Sequence, residues 1–237
     1  MLFMGDRYWL WVGARLLVGL ALVAWVGSYL GAGSGEKEFQ KTLGAMKQVR
    51  SVRVASTANQ PGVQRNEMLW EVDCNRDIAH HQMHMVNIST NPPGEMNQDQ
   101  MLVAGHGFER KSDGSWAPSN YIYGGWSARG YCTNLAQGID SNLLPQIATM
   151  IKRGIIQKGD KKSVNGVRCR EWLVTMRGGV SGLEHDTVCL GLDDHLPYEM
   201  TTDWAQFRET FSDYNTPIKF DAPQAVLQPA SVATGSN

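Results

Sequence analysis

Residues Ile155–Met176 read IIQKGDKKSVNGVRCREWLVTM. Apolar and charged side chains are interleaved on both sides of Asn165-Gly166, a pair suited to the positive φ angles of a two-residue hairpin turn. Two antiparallel strands, 155–163 and 167–176, are therefore predicted. The same pattern continues toward the C-terminus: a strand over Thr187–Leu192, a turn at Asp193-Asp194, then strands over Leu196–Trp204, Phe207–Ser212 and Ile218–Phe220.

Upstream, Val52, Val54 and Ser56 alternate, and Met68, Trp70 and Val72 alternate with Leu69, Glu71 and Asp73. A turn near Asn75-Arg76-Asp77 leads into a return strand over Ile78–Ile88. Met101 and Val103 begin another strand, and Gly105-His106-Gly107 reverses it into Phe108–Lys111. Asp113-Gly114 is a further tight turn, with Trp116 beyond it. The segment Asn91–Asn97, containing Pro92, Pro93 and Gly94, reads as a mobile loop. Consecutive strands joined by short turns form antiparallel meanders.

Two helices interrupt the strands. Over Glu36–Val49, Phe39, Leu43 and Met46 make an apolar stripe, with acidic residues in the first turn and Lys47 near the end. The second is capped by Ser141 or Asn142, tolerates Pro145 in its first turn, carries Leu143, Leu144, Ile147 and Ile151 on one face, and closes at Lys152-Arg153-Gly154. A long antiparallel sheet with so few helices hides one face most simply by curling and laying the helices across its concave side. The fold class is therefore mainly β (α+β): a strongly curved antiparallel half-barrel covered by two helices. Such a half-barrel either packs solid or leaves a cavity.

The uncharged run Leu16–Leu30, LLVGLALVAWVGSYL, follows Arg7 and Arg15 and predicts an N-terminal transmembrane or signal helix that leaves the rest of the chain outside the cytoplasm. Gly31-Ala32-Gly33-Ser34 supplies the small residues of a cleavage site, which would send the domain to the periplasm. Tyr8, Trp9, Trp11, Trp25 and Tyr29 supply the interfacial aromatics of a retained inner-membrane anchor. Ala24, Gly27, Ser28 and Gly31 share one helix face bare enough for another helix to approach, so an integral membrane protein is a candidate partner. The expected organisation is a signal-anchor or signal peptide over 1–33, a half-barrel domain over 34–223 and a disordered tail over 224–237.

Lys+Arg 22 against Asp+Glu 23 gives a net charge of -1, with no long run of either sign, so nucleic acid is not an expected partner. Four cysteines in an exported domain, with no C-x-x-C pair, favour two disulfides over a metal site. Cys169 and Cys189 are each ten residues from Gly179, so a hairpin symmetric about that glycine sets them opposite each other. Cys74 and Cys132 then pair by elimination, a weaker inference because four cysteines allow three connectivities.

The helix running into Ser51-Val52-Arg53-Val54, the stretch GHGFERKSDGSWAPS, the hairpin at Val164-Asn165-Gly166-Val167 and the closing FSDYNTPIKFDAP together resemble the LolA-like superfamily of periplasmic lipoprotein carriers and the related LppX/LprG lipoproteins. The closing pattern, with Asn215, Pro217, Ile218, Phe220 and Pro223, is its most specific part. The resemblance implies a curved sheet whose helix-covered apolar cavity receives acyl chains: a lipid or lipoprotein binding module, not an enzyme. The chain departs from the group in its N-terminal helix, which a soluble carrier lacks, and in having no lipid-attachment cysteine near residues 28–36.

By strand parity, Met68, Trp70, Val72, Met83, Met85, Met101 and Val103 face the concave side, with Ile147, Met150 and Ile151 from the helix above. Methionine packs adaptably around chains that offer no directional partner. His80, Gln82 and His84 share a strand face that His81 does not, so no third histidine converges and no metal site is expected. Asp193 and Asp194 sit in a turn, and neither a phosphate-cradling glycine loop nor G-x-S-x-G occurs. Neither a catalytic residue nor a cofactor is expected. The alternative to the ligand-binding module is a single-pass accessory or scaffold subunit of an inner-membrane complex.

Overall fold

The computed structural model describes residues 34–119, 128, 155–178, 182–202 and 206–227. Eleven strands form one antiparallel sheet: β1 (Ser51–Gln60), β2 (Gln64–Asp73), β3 (Ile78–Asn87), β4 (Gly94–Val103), β5 (His106–Arg110), β6 (Trp116–Pro118), β7 (Ile156–Val164), β8 (Val167–Gly178), β9 (Gly182–Gly191), β10 (Pro197–Thr202) and β11 (Phe207–Ser212). Their order is β6-β5-β4-β3-β2-β1-β11-β10-β9-β8-β7. Two meanders therefore meet at the centre, where β1 and β11 pair in the register Val54↔Phe211.

The sequence explains the local geometry. Asn165 and Gly166 have φ of 50° and 81°, as a two-residue hairpin of the expected type requires. Gly191 ends β9 against the Asp193-Asp194 turn: a Cβ there would lie 2.1 Å from Asp194 Oδ1, so only glycine lets the turn close. Asp194 in turn accepts from the Tyr198 hydroxyl.

Helix α1 (Ser34–Met46) starts and ends slightly earlier than expected. It buries Phe39, Thr42 and Met46, and Phe39 packs on Trp172 of β8 with ring centroids 4.7 Å apart. The sheet face beneath it, called inner here, carries Val52, Val54, Val72, Trp172, Val174, Val188 and Phe211 in the main core. Against the outer face lies the closing segment, where Ile218, Phe220 and Val226 pack on Ile78, Met101 and Val103.

Three expectations change. Gly94–Asn97 belong to β4 rather than to a loop, because Gly94 through Gln98 pair residue for residue with Asn87 through Met83. Ile218–Phe220 lie outside the sheet, yet Ile218 and Phe220 are buried, as a strap rather than a strand. The expected tail opens with a turn of helix, α2 (Gln224–Leu227), whose Val226 is 7% exposed.

Cys169 and Cys189 are bonded with Cα atoms 5.5 Å apart. The hairpin is centred one residue later than expected, with Gly178 opposite Gly182 and Cys169 opposite Gly191, so the bridge is diagonal. Cys74 is also disulfide-bonded. Its expected partner Cys132 lies outside the described residues, as do the N-terminal segment with Ala24, Gly27, Ser28 and Gly31, the helix over 141–154 with Ile147, Met150 and Ile151, and the chain beyond Leu227. No helix among the described residues is long and apolar enough to cross a membrane.

Candidate ligand-binding face

Side chains alternate across a sheet, so the register assigns each residue to a face. Val52, Val54 and Ser56 of β1 oppose Val72, Trp70 and Met68 of β2, which oppose Ala79, His81 and Met83 of β3. Met68, Trp70, Val72, Met83 and Met85 therefore share the inner face. Met101 and Val103 do not. In β4 it is Leu102 that pairs with Ala79, while Met101 pairs with His80 and packs under the closing strap. Met101 and Val103 are thus structural residues of the opposite face, and the inner positions of β4 are Leu102, Gln100, Gln98 and Met96.

Met68 and Met83 form their own cluster with Trp70 and Met96, and Trp70 joins it to the core under α1. One row in register runs through it across most of the sheet. Gln98 faces Met83, Met83 faces Met68, and Met68 faces Ser56. Ser56 faces Glu209, Glu209 faces Met200, Met200 faces Val188, and Val188 faces Trp172.

Glu209 has no exposed surface, and neither carboxyl oxygen finds a hydrogen-bond partner among the described residues. Burial without a compensating partner pushes its pKa up to about 8. Along the same row, Ser56 Oγ, Gln98 Oε1 and Trp172 Nε1 are also buried without a partner. Glu209 escaped the sequence reading. Its signal was the alternation Phe207-x-Glu209-x-Phe211, which places the carboxyl on the same buried parity as two aromatics.

The outer face treats its polar groups in the opposite way. His80 Nδ1 lies 2.9 Å from Glu71 Oε2 and its Nε2 2.7 Å from Asp99 Oδ1. Arg53 donates to Glu71 and Asp213, and Arg110 bridges Asp99 and Asp221. Burial disfavours the His80 cation, but the two carboxylates outweigh it and raise the pKa to about 9. The His80 contact in turn holds the Glu71 carboxyl below its ordinary value. His81, on the inner face, stacks on Trp70 at 4.1 Å, and burial, helped by the neighbouring His80 charge, pushes its pKa down to about 3. His84 meets Asn97 and Glu95, away from His80. Among the described residues no cluster of His, Cys, Asp and Glu is arranged to hold a metal ion.

An open groove of about 930 Å3 crosses β1–β4 and reaches Arg110–Ser112. Its exposed lining residues include Thr57, Glu67 and Asn97, which have the outer parity, and Lys111 just beyond the end of β5. It is open to solvent, and its lining sets Ala55, Met68, Leu69 and Met83 beside these polar residues.

No protein-family model matches this chain. No curated protein matches its sequence. Among solved structures, LprF from Mycobacterium bovis matches at 12% identity and a TM-score of 0.53, covering 81% of this chain and 99% of LprF. The MucA/MucB complex of Pseudomonas aeruginosa matches at 15% identity and a TM-score of 0.35, covering 81% of this chain and 59% of that one. A LolA superfamily protein from Nitrosomonas europaea matches at 11% identity and a TM-score of 0.24, covering 77% and 94%. The LprF match carries the comparison: the chain shares the fold of LprF.

Proposed function

We propose that this protein is a non-enzymatic, extracytoplasmic module that holds an apolar ligand of the lipid or lipoprotein type on the inner face of its sheet. The observation that carries the reading is the methionine cluster of Met68, Met83 and Met96 beside Trp70, at the edge of the core beneath α1 on a fold shared with LprF. Unbranched thioether side chains repack around a flexible chain at little cost, which a core built for stability alone does not require.

The bridge between Cys169 and Cys189, together with the bonded Cys74, supports an oxidising compartment. The resemblance to lipoprotein carriers supports acyl chains as the ligand and a periplasm-facing location. Ile147, Met150 and Ile151 are proposed to close over the methionines from the helix of residues 141–154, and an N-terminal anchor in the inner membrane is proposed to hold the domain there.

Native mass spectrometry of detergent-free protein tests the reading. Adducts of lipid mass are expected on the wild type and should decline when Met68 and Met83 are both replaced by Asp. Lipid-free wild-type protein from cells in which it is membrane-exposed would overturn the reading.

A further inference from the structure

The buried row across the inner face holds more than apolar contact requires. In a sheet that packs solid, each position of that row would be filled by an apolar side chain or by a polar one with a partner. Here Glu209 is wholly buried and Ser56, its direct neighbour on β1, is 1% exposed, and among the described residues neither the two carboxyl oxygens nor the hydroxyl has a partner. Opposed residues of paired strands lie about 5 Å apart, so one ligand atom can be reached by both. On either side the row turns apolar: Met68 and Met83 beyond Ser56, Met200 and Val188 beyond Glu209.

We propose that Ser56 and Glu209 form a polar clasp that donates to the carbonyl oxygen of an acyl ester or amide, whose hydrocarbon chain runs along the flanking methionines. The inference rests on the lipid-binding reading above and adds which part of the lipid is recognised. A protonated carboxyl and a hydroxyl are both donors, and a carbonyl oxygen has two lone pairs to accept from them. With its pKa at about 8, the Glu209 carboxyl carries its proton at neutral pH. A phosphate or a carboxylate headgroup fits poorly, since it would bring an anion to a buried site that no cation among the described residues faces: Arg208, next in sequence, has the outer parity and pairs with Glu199. A pure hydrocarbon would leave both donors unsatisfied, and such a site rejects ligands that lack the expected acceptor.

The test compares 1-palmitoyl lysophosphatidylcholine with 1-O-hexadecyl lysophosphatidylcholine, an ether of the same chain length without the carbonyl, each below its micelle concentration. Binding is read by displacement of a fluorescent acyl probe. The wild type is expected to bind the ester about tenfold more tightly, the effect of one or two hydrogen bonds to a buried acceptor. Glu209→Met should weaken the ester alone and abolish the preference, Glu209→Gln should keep it because its amide still donates, and Ser56→Ala should reduce it. Equal affinity of the wild type for both lipids, or a preference that survives Glu209→Met, would overturn the clasp while leaving lipid binding standing. Failure of the wild type to bind either lipid would overturn the lipid reading, and the clasp with it.

Discussion

Replacing Glu209 with methionine should stabilise the free protein, and by more as the pH rises. The carboxyl titrates near 4.5 in the unfolded chain and at about 8 in the folded one. A carboxyl whose folded pKa is raised gives its full stability below the unfolded value and loses it as pH climbs to the folded value, because unfolding then releases a proton. The slope is about 1.4 kcal/mol per pH unit, so by pH 7 the wild type is about 3 kcal/mol less stable, on this ground, than at pH 4.5. Facing the carboxyl are Ser56 on β1 and Met200 on β10; the nearby charges Arg208 and Glu199 have the outer parity and do not offset the effect. Methionine keeps the volume and titrates nowhere. For a domain of this size about 3 kcal/mol corresponds to roughly 6–12 °C in Tm. Differential scanning calorimetry of both proteins from pH 4.5 to 8.5 should show the curves diverging with pH and running parallel above about 8. A constant offset between them would refute the buried, unpartnered carboxyl, as would a variant less stable than wild type at pH 8.

Two adjacent histidines should shape the remaining pH dependence in opposite senses. His80, raised to about 9, stabilises fully below 6.5 and loses its contribution as pH rises through 9; His80→Gln should flatten that limb, removing up to about 3 kcal/mol of change in urea melts followed by circular dichroism. His81, lowered to about 3, stabilises above 6.5 and loses its contribution as pH falls, so His81→Phe, which keeps a ring on Trp70, should resist acid better than wild type in the same melts. Met101→Ala should cost about 2–5 kcal/mol by leaving a void beneath the strap, yet leave lipid adducts in native mass spectra unchanged. The double replacement Cys169→Ser with Cys189→Ser should lower unfolding free energy by about 2–4 kcal/mol without altering the β content seen by circular dichroism.

How much of this was legible in the sequence depends on how far apart the deciding residues lie. The hairpin at Asn165-Gly166 was legible because two neighbours fix its φ angles. The parity of β2 was equally plain, since exposed and buried residues alternate over Gln64–Met68. β4 was different. Met101, Leu102 and Val103 are all buried, so the local pattern there has no period from which a face can be read. The cause is remote: Ile218, Phe220 and Val226 cover the outer side of that corner while Leu102 joins the core on the inner side. The same distance hides the central joint. Arg50 donates its backbone N–H to Asn215 Oδ1 at 2.6 Å, and Ser51 Oγ donates to Thr216 O at 2.7 Å, both across 165 residues of sequence. The closing motif could be recognised as a pattern, but not that it ties the last strand beside the first.

The two faces of this sheet answer the same physical demand differently, and the contrast bears on function. Outside, Arg53, Glu71, His80, Asp99 and Arg110 leave their charges paired, and that network ties the meander β2–β4 to the closing segment through Asp213 and Asp221. Its work is finished within the chain. Inside, the row through Ser56 and Glu209 bears polar atoms that nothing among the described residues satisfies, in a setting where each costs about 1–3 kcal/mol. A sheet serving only as scaffold would gain stability from apolar side chains at those positions. On the reading proposed above, an acceptor brought in with the ligand offsets that cost, which is why the ester-against-ether comparison tests this row and not the outer network.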